Sequence, residues 1–273
     1  MGHPRNGCVR RIGRGFRLIG KLLEGLLLTW RVFPRLTPPQ QAVLIQRWCR
    51  DVLDVLSIRL TLDGEVPSGR VSCAMFVANH ISWVDVLLMN ACHPVHFVAK
   101  SEVRQWPIIG WMAAGIGTLF LKRNSSRGLS RVKKSVDAVL RSGECVAHFP
   151  EGTTTDGRSV CSFHSGLFQS AVDAEAFIWP VGISYRRPDG GYDEDIAFIG
   201  SQSLVSSVLH LLAQPATEAR LWFANPIRSA GGDRRALAIH CHQVIEQSLT
   251  NLFPFPVHSK TVHTIPWACL SLR

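Results

Sequence analysis

From residue 58 onward the chain alternates short apolar runs with longer amphipathic ones, and this alternation limits the possible folds more than any other feature. Ile58 to Leu62, Val71 to Ala78, Val95 to Ala99, Thr118 to Leu121, Cys145 to Phe149 and Ala176 to Ile183 have the length and composition of strands. Helical segments fall between and after them: Trp83 to Ala91, Arg127 to Arg141, Phe163 to Ala174, Leu204 to Leu212 and Arg234 to Leu252. Strands that are apolar on both faces need cover on both faces. The expected class is therefore α/β, with a mixed, largely buried sheet flanked by helices. A hydrophobic content of 46% in 273 residues is ample for such a core, and no internal repeat is visible.

Upstream, the stretch from Phe16 to Phe33 reads FRLIGKLLEGLLLTWRVF. Phe16, Ile19, Leu23, Leu26, Trp30 and Phe33 recur at spacings of three and four, an amphipathic helical stripe. Its longest uncharged piece, Gly25 to Trp30, falls far short of the ~18 apolar residues that a membrane span needs. Pro34, Pro38 and Pro39 then interrupt the chain, and a second amphipathic helix from Gln40 to Leu56 completes an N-terminal helical hairpin.

Charge is concentrated in the same region: residues 1–50 hold ten Lys or Arg against the single acid Glu24. Arg5, Arg10, Arg11 and Arg14 sit just before the stripe, where each basic residue adds about 1 kcal/mol of attraction to an anionic leaflet. The expectation is a peripheral or monotopic contact with a membrane lipid surface; the plainer alternative is a helix packed on the body with its charges solvated. Nucleic acid is not an expected partner, because no zinc finger, RNP aromatic pattern or heptad zipper accompanies the basic arm. The chain divides into residues 1–57, a basic helical region for membrane association; residues 58–253, an α/β body; and residues 254–273, an irregular tail.

Two stretches at strand ends carry chemistry. Val77 to Asp85 reads VANHISWVD. On one helix His80 and Asp85 would point about 140° apart, so they meet only if the chain bends between them. A loop over Asn79 to Ser82 and a helix beginning at Trp83, capped by Ser82, supplies that bend. A carboxylate on one imidazole nitrogen leaves the other free as a general base. Ser82-x-x-Asp85 is equally a capping-box variant, which gives the carboxylate a structural use instead. The second stretch, Cys145 to Gly157, reads CVAHFPEGTTTDG. Gly152 and Gly157 permit close backbone approach, and Thr153 to Thr155 offer hydroxyls, although the same residue types also make ordinary turns. In open α/β sheets ligands sit beyond the carboxyl ends of strands, which is where both stretches fall.

The eight cysteines form no CxxC pair and are expected as free thiols in a reducing cytosol. His240-Cys241-His242 points in divergent directions on a helix, so no metal site is expected. No GxSxG is present and Ser165 in FHSG lacks its flanking pattern, so a serine acyl-enzyme is not expected either.

Taken together these blocks resemble a known family, the lysophosphatidate acyltransferases and, more widely, the glycerolipid acyltransferases. NHISWVD, from Asn79 to Asp85, resembles the family's NHxxxxD catalytic block, and FPEGT, from Phe149 to Thr153, its acceptor-binding block. Lys100, Pro107, Gly110, Gly117 and Arg123 fall at the spacing of the block between them, and Trp179-Pro180-Val181 resembles the last. Four blocks in order, over about residues 58–185, are a specific signal.

The resemblance implies a bacterial O-acyltransferase on the cytoplasmic face of the inner membrane. It implies no cofactor, with acyl-CoA or acyl-ACP (coenzyme A or acyl carrier protein thioester) as co-substrate, and a lysolipid acceptor, 1-acyl-sn-glycerol-3-phosphate first. His80 would be the base and Asp85 its orienting partner. Lys100, Arg123, Glu151, Gly152 and Thr153 would bind the acceptor head group, and Trp106 to Gly117 would wall the acyl tail. There is one departure: where the family commonly continues FPEGTR, Thr154 stands in place of the arginine. Lys100, Arg123 and Arg158 are then the candidates for a phosphate, which prefers a guanidinium fork. A similar branch, the lyso-ornithine lipid acyltransferases, often carries FPEGTT. The competing class is a nonenzymatic basic module, binding membrane or nucleic acid, in which His80 is structural.

Overall fold

In the computed structural model, which describes residues 4–69, 71–122 and 126–252, the strands are β1 (Ile58–Gly64), β2 (Ala74–Ala78), β3 (His96–Lys100), β4 (Leu119–Leu121), β5 (Val146–His148), β6 (Phe177–Arg186), β7 (Thr217–Phe223) and β8 (Ile227–Arg228). They form one sheet in the order β1-β7-β6-β2-β5-β3-β4, with β8 pairing β6. The pairs β2 with β5, β2 with β6, β3 with β5 and β3 with β4 are parallel, whereas β7 and β8 run antiparallel to β6 and β1 runs parallel to β7. The sheet is mixed, as expected. Its helices are α1 (Pro4–Leu27), α2 (Pro38–Leu56), α3 (Val84–Cys92), α4 (Ile109–Gly115), α5 (Ser126–Arg141), α6 (Phe168–Asp173), α7 (Leu204–Ala213) and α8 (Arg234–Leu252).

Every residue of the central strand β2 is buried, and its side chains alternate between two cores. Phe76 and Ala78 join Phe97 and Ala147 on one face, under α2 and α3. Met75 and Val77 join Val146 and Ile178 on the other, under Val132, Val136 and Leu140 of α5, Phe168 of α6 and Cys241 of α8.

The sequence reading located six strands and missed β7 and β8. In β7, Glu218 and Arg220 alternate with buried Ala219 and Leu221, so it lacks the unbroken apolar run of the central strands. Helix α6 begins only at Phe168, five residues later than expected, and the Trp106 to Gly117 stretch contains a short helix, α4.

Thr37 and Gln40 cap α2 reciprocally with Pro38 and Pro39 in its first turn, so the prolines start this helix rather than merely ending the one before. Its last turn passes through Ser57, in the left-handed region at φ 58°, straight into β1. The hairpin shares the body's core: Leu18, Val52, Leu53 and Leu56 are buried in one cluster with Phe76 and Leu221. Gly25 permits this approach, because a Cβ there would stand 2.5 Å from Met112 Cε and 2.7 Å from Trp48 Nε1. Arg14 donates to the Gln214 carbonyl at 2.7 Å, tying α1 to the segment just past α7. With that inner side docked, Ile12, Phe16, Ile19, Leu23, Leu27 and Trp30 form an exposed outer row. No described helix is long and apolar enough to cross a membrane. Residues 254–273 lie outside the described residues.

Candidate active site

The end of β2 shows how the chain places a histidine. Asn79 ends the strand with its side chain, donating from Nδ2 to the Ile183 carbonyl (3.0 Å) and accepting at Oδ1 from the Ile183 N–H (2.7 Å). The backbone then turns, and α3 brings Asp85 back under the loop. Asp85 is wholly buried. Its Oδ2 meets His80 Nδ1 at 2.8 Å and accepts the N–H groups of Ile81 (2.7 Å) and Ser82 (2.9 Å), while Oδ1 accepts the Tyr185 hydroxyl at 2.5 Å. One carboxylate therefore serves both purposes that the sequence left open, capping the loop and pairing the histidine. Ser82 is not the cap: its hydroxyl finds no partner among the described residues, and Trp83 holds the cap position without a side-chain bond.

With Nδ1–H donating to Asp85, the His80 nitrogen left for chemistry is Nε2. The ring lies flat on Phe149, centroids 3.9 Å apart and planes 5° apart. The backbone is held as firmly: the His80 N–H donates to Glu151 Oε1 (2.7 Å) and its carbonyl accepts the Thr155 N–H (2.8 Å). Glu151 Oε2 accepts the Cys161 N–H at 2.8 Å, so both of its oxygens are held by backbone. Sequence reasoning placed Glu151 at the acceptor head group; in the structure it lines the cavity while both of its carboxylate oxygens join the two loops. Burial pushes this carboxyl up, against the backbone N–H groups of Cys161 and His80 that hold it down. Burial first, and then the Asp85 charge, push the Tyr185 phenol well above its ordinary value, so it stays a donor. Gly157, at φ 80°, lets the second loop close on the first, since a Cβ there would stand 2.6 Å from Ile81 Cδ1.

His80 opens onto a cavity of about 1360 Å³. Lys100, Glu151, Gly152, Thr153 and Thr154 all line it, so the structure brings these expected site residues together; Arg123 lies outside the described residues. Apolar walls come from Leu22 and Trp48 of the hairpin and from Trp106, Ile109, Met112 and Ile116 of the stretch expected to hold an acyl tail. The Thr154 hydroxyl donates to the Phe198 carbonyl, and Arg158 is paired with Glu194 at the surface.

Asn79, Phe149 and Tyr185 were missed as positioning residues. Asn79 and Phe149 open the two sequence blocks but had no role read for them; Tyr185 left a different signal, as one of two tyrosines, set in an apolar strand where a buried hydroxyl needs a partner.

A protein-family model described as Acyltransferase matches residues 59–184. The lyso-ornithine lipid O-acyltransferase of Pseudomonas aeruginosa is 36% identical over 248 residues, which cover 88% of this chain and 94% of that one. The chain belongs to the acyltransferase family. This acyltransferase is also 37% identical to the 1-acyl-sn-glycerol-3-phosphate acyltransferase of Neisseria meningitidis serogroup B, over 52% of its own length and 55% of the relative's. Its fold is that of the crystal structure of the 1-acyl-sn-glycerophosphate acyltransferase from Thermotoga maritima. The TM-score is 0.61 at 19% identity, over 88% of this chain and 97% of that one. The resemblance read from the blocks, the α/β class and the enzymatic reading are thereby borne out.

Proposed function

We propose that this acyltransferase moves a fatty acyl group from an acyl-CoA or acyl-ACP thioester to the free hydroxyl of a lysolipid. His80 Nε2 takes the hydroxyl proton as the oxygen attacks the thioester carbonyl, and Asp85 stabilises the imidazolium that forms. The carbon–sulfur bond then breaks, and the departing sulfur takes the proton back. The observation that carries this reading is a histidine locked in one tautomer at the mouth of a largely apolar cavity. That cavity exceeds the ~300–1,000 Å³ usual for small-molecule sites, room that suits lipid chains. The exposed outer row of α1, beside Arg10, Arg11, Arg17 and Arg31, supports docking on an anionic membrane surface, here the cytoplasmic face of the inner membrane.

1-acyl-sn-glycerol-3-phosphate is the acceptor the sequence blocks put first, and Lys100 on the cavity wall supports an anionic head group. Lyso-ornithine lipid is a second reading with its own support. Thr154 stands where the family's arginine would meet a phosphate, its hydroxyl tied to Phe198, and the relative of that name is matched over nearly its whole length. Assaying the wild type and Thr154→Arg against both acceptors tests the choice. A lysophosphatidate enzyme should accept the added arginine without loss. A lyso-ornithine lipid enzyme should lose activity as the arginine meets the acceptor's own ammonium, and should turn over lysophosphatidate poorly.

A further inference from the structure

Phe149 and Phe97 stack at 5.8 Å, which puts both on the α2–α3 face of the sheet. Side chains alternate along a strand, so His148 points to the opposite face. There Phe168 meets it edge-on at 5.5 Å, and Val98 packs in the same core. Lys100, two residues beyond Val98, falls on that face by the same alternation. His148 and Lys100 both line the cavity, so it reaches this side as well.

His148 is 4% exposed, and neither ring nitrogen has a hydrogen-bond partner among the described residues. Asn79, Asp85 and Glu151 are buried as deeply, yet both polar atoms of each side chain are bonded. An unpaired buried polar group destabilises a fold, so a histidine held this way calls for a ligand that pairs it. Burial pushes its pKa down to about 4, which keeps the imidazole neutral, with one N–H to give and one lone pair to accept. The imidazole χ2 torsion is broad, so the ring turns readily to present a nitrogen to the cavity.

We infer that His148 is a binding residue of the acceptor subsite, donating a hydrogen bond to an anionic oxygen of the lysolipid head group whose charge Lys100 meets. That oxygen belongs to a phosphate in lysophosphatidate and to a carboxylate in lyso-ornithine lipid. The inference rests on the acyl-transfer reading above.

The test compares wild type, His148→Leu and His148→Gln in acyl transfer from palmitoyl-coenzyme A to each lysolipid, varying acceptor and donor in turn. His148→Leu should raise the acceptor KM about tenfold, the loss of one hydrogen bond to a charged group. The donor KM should move less than about twofold, and Tm should hold or rise because the unpaired group is gone. His148→Gln should recover part of the acceptor affinity. An unmoved acceptor KM in His148→Leu would make His148 a core residue and overturn the inference; should that variant fail to fold, the acceptor KM of His148→Gln decides in the same way. If the wild type acylates neither lipid, the acyl-transfer reading falls and takes the inference with it, whereas normal wild-type turnover with an unmoved KM removes the inference alone.

Discussion

The two ends of the cavity are built on opposite principles. At the His80 end position is fixed by directional bonds: Asp85 holds four donors, Glu151 holds two backbone N–H groups, and Phe149 presses the ring flat. At the hairpin end the wall is mostly apolar packing: Leu22 and Met112 line it with Trp48, whose Nε1–H is tied to the Lys21 carbonyl at 2.9 Å, and Gly25 sets how near α1 may come. Chemistry that depends on a proton's path needs the first arrangement, because small misplacements at the reacting centre cost large factors in rate. Holding a flexible apolar chain needs only the second, since burial of apolar surface has no preferred direction. Substitutions at the first end should therefore act on kcat, and those at the second on binding or stability.

Asp85→Asn should sharpen this contrast most. An amide cannot accept on both sides, so it either misplaces the His80 tautomer or opposes a backbone N–H. Turnover should fall about 10²- to 10⁴-fold, checked by steady-state acyl transfer beside circular dichroism. Tyr185→Phe removes one donor and leaves the buried Asp85 Oδ1 without its hydroxyl; a fall of about tenfold in kcat is expected, with acceptor KM within about twofold. An unchanged kcat would show that Tyr185 only fills space.

At the other end, replacing Phe16, Ile19 and Leu23 together by serine should weaken binding to anionic vesicles several-fold, and the remaining binding should weaken further as salt rises. Turnover of a detergent-dispersed acceptor should be unchanged. Unaltered vesicle binding would place the membrane surface elsewhere.

The smallest expected effect is on stability at acid pH. The folded pKa of His148 is pushed below its unfolded value of about 6.5 to about 4, so the unfolded chain binds the extra proton. Its contribution is complete above about pH 6.5 and is lost as pH falls towards 4. His93, also lowered by burial, acts in the same direction. The Tm of His148→Leu should therefore decline less steeply over this window than that of the wild type.

The sequence showed the site better where the signal was local. His80 and Asp85 are five residues apart, and the need for a bend between them followed from helix geometry alone. Tyr185 lies 100 residues from Asp85 and Glu151 lies 71 from His80; those contacts follow from the order of strands in the sheet, which no local pattern encodes. The reading of Ser82 as a cap failed because the Asp85 N–H, which its hydroxyl would have accepted, goes to the Ser82 backbone carbonyl at 3.1 Å instead. Strand β7 was missed for a related reason: its burial alternates, so it does not read as the continuous apolar strand the rest of the sheet led one to seek.

The central claim is that His80, oriented by Asp85, is the base that removes the acceptor's proton. Single-turnover acyl transfer by His80→Ala, from a labelled thioester to lysolipid, tests it most directly, with vesicle binding and circular dichroism measured on the same sample. A loss of about 10²- to 10⁴-fold in rate, with fold and vesicle binding intact, is the expected result. Acyl transfer at a near-normal rate in that variant would contradict the account.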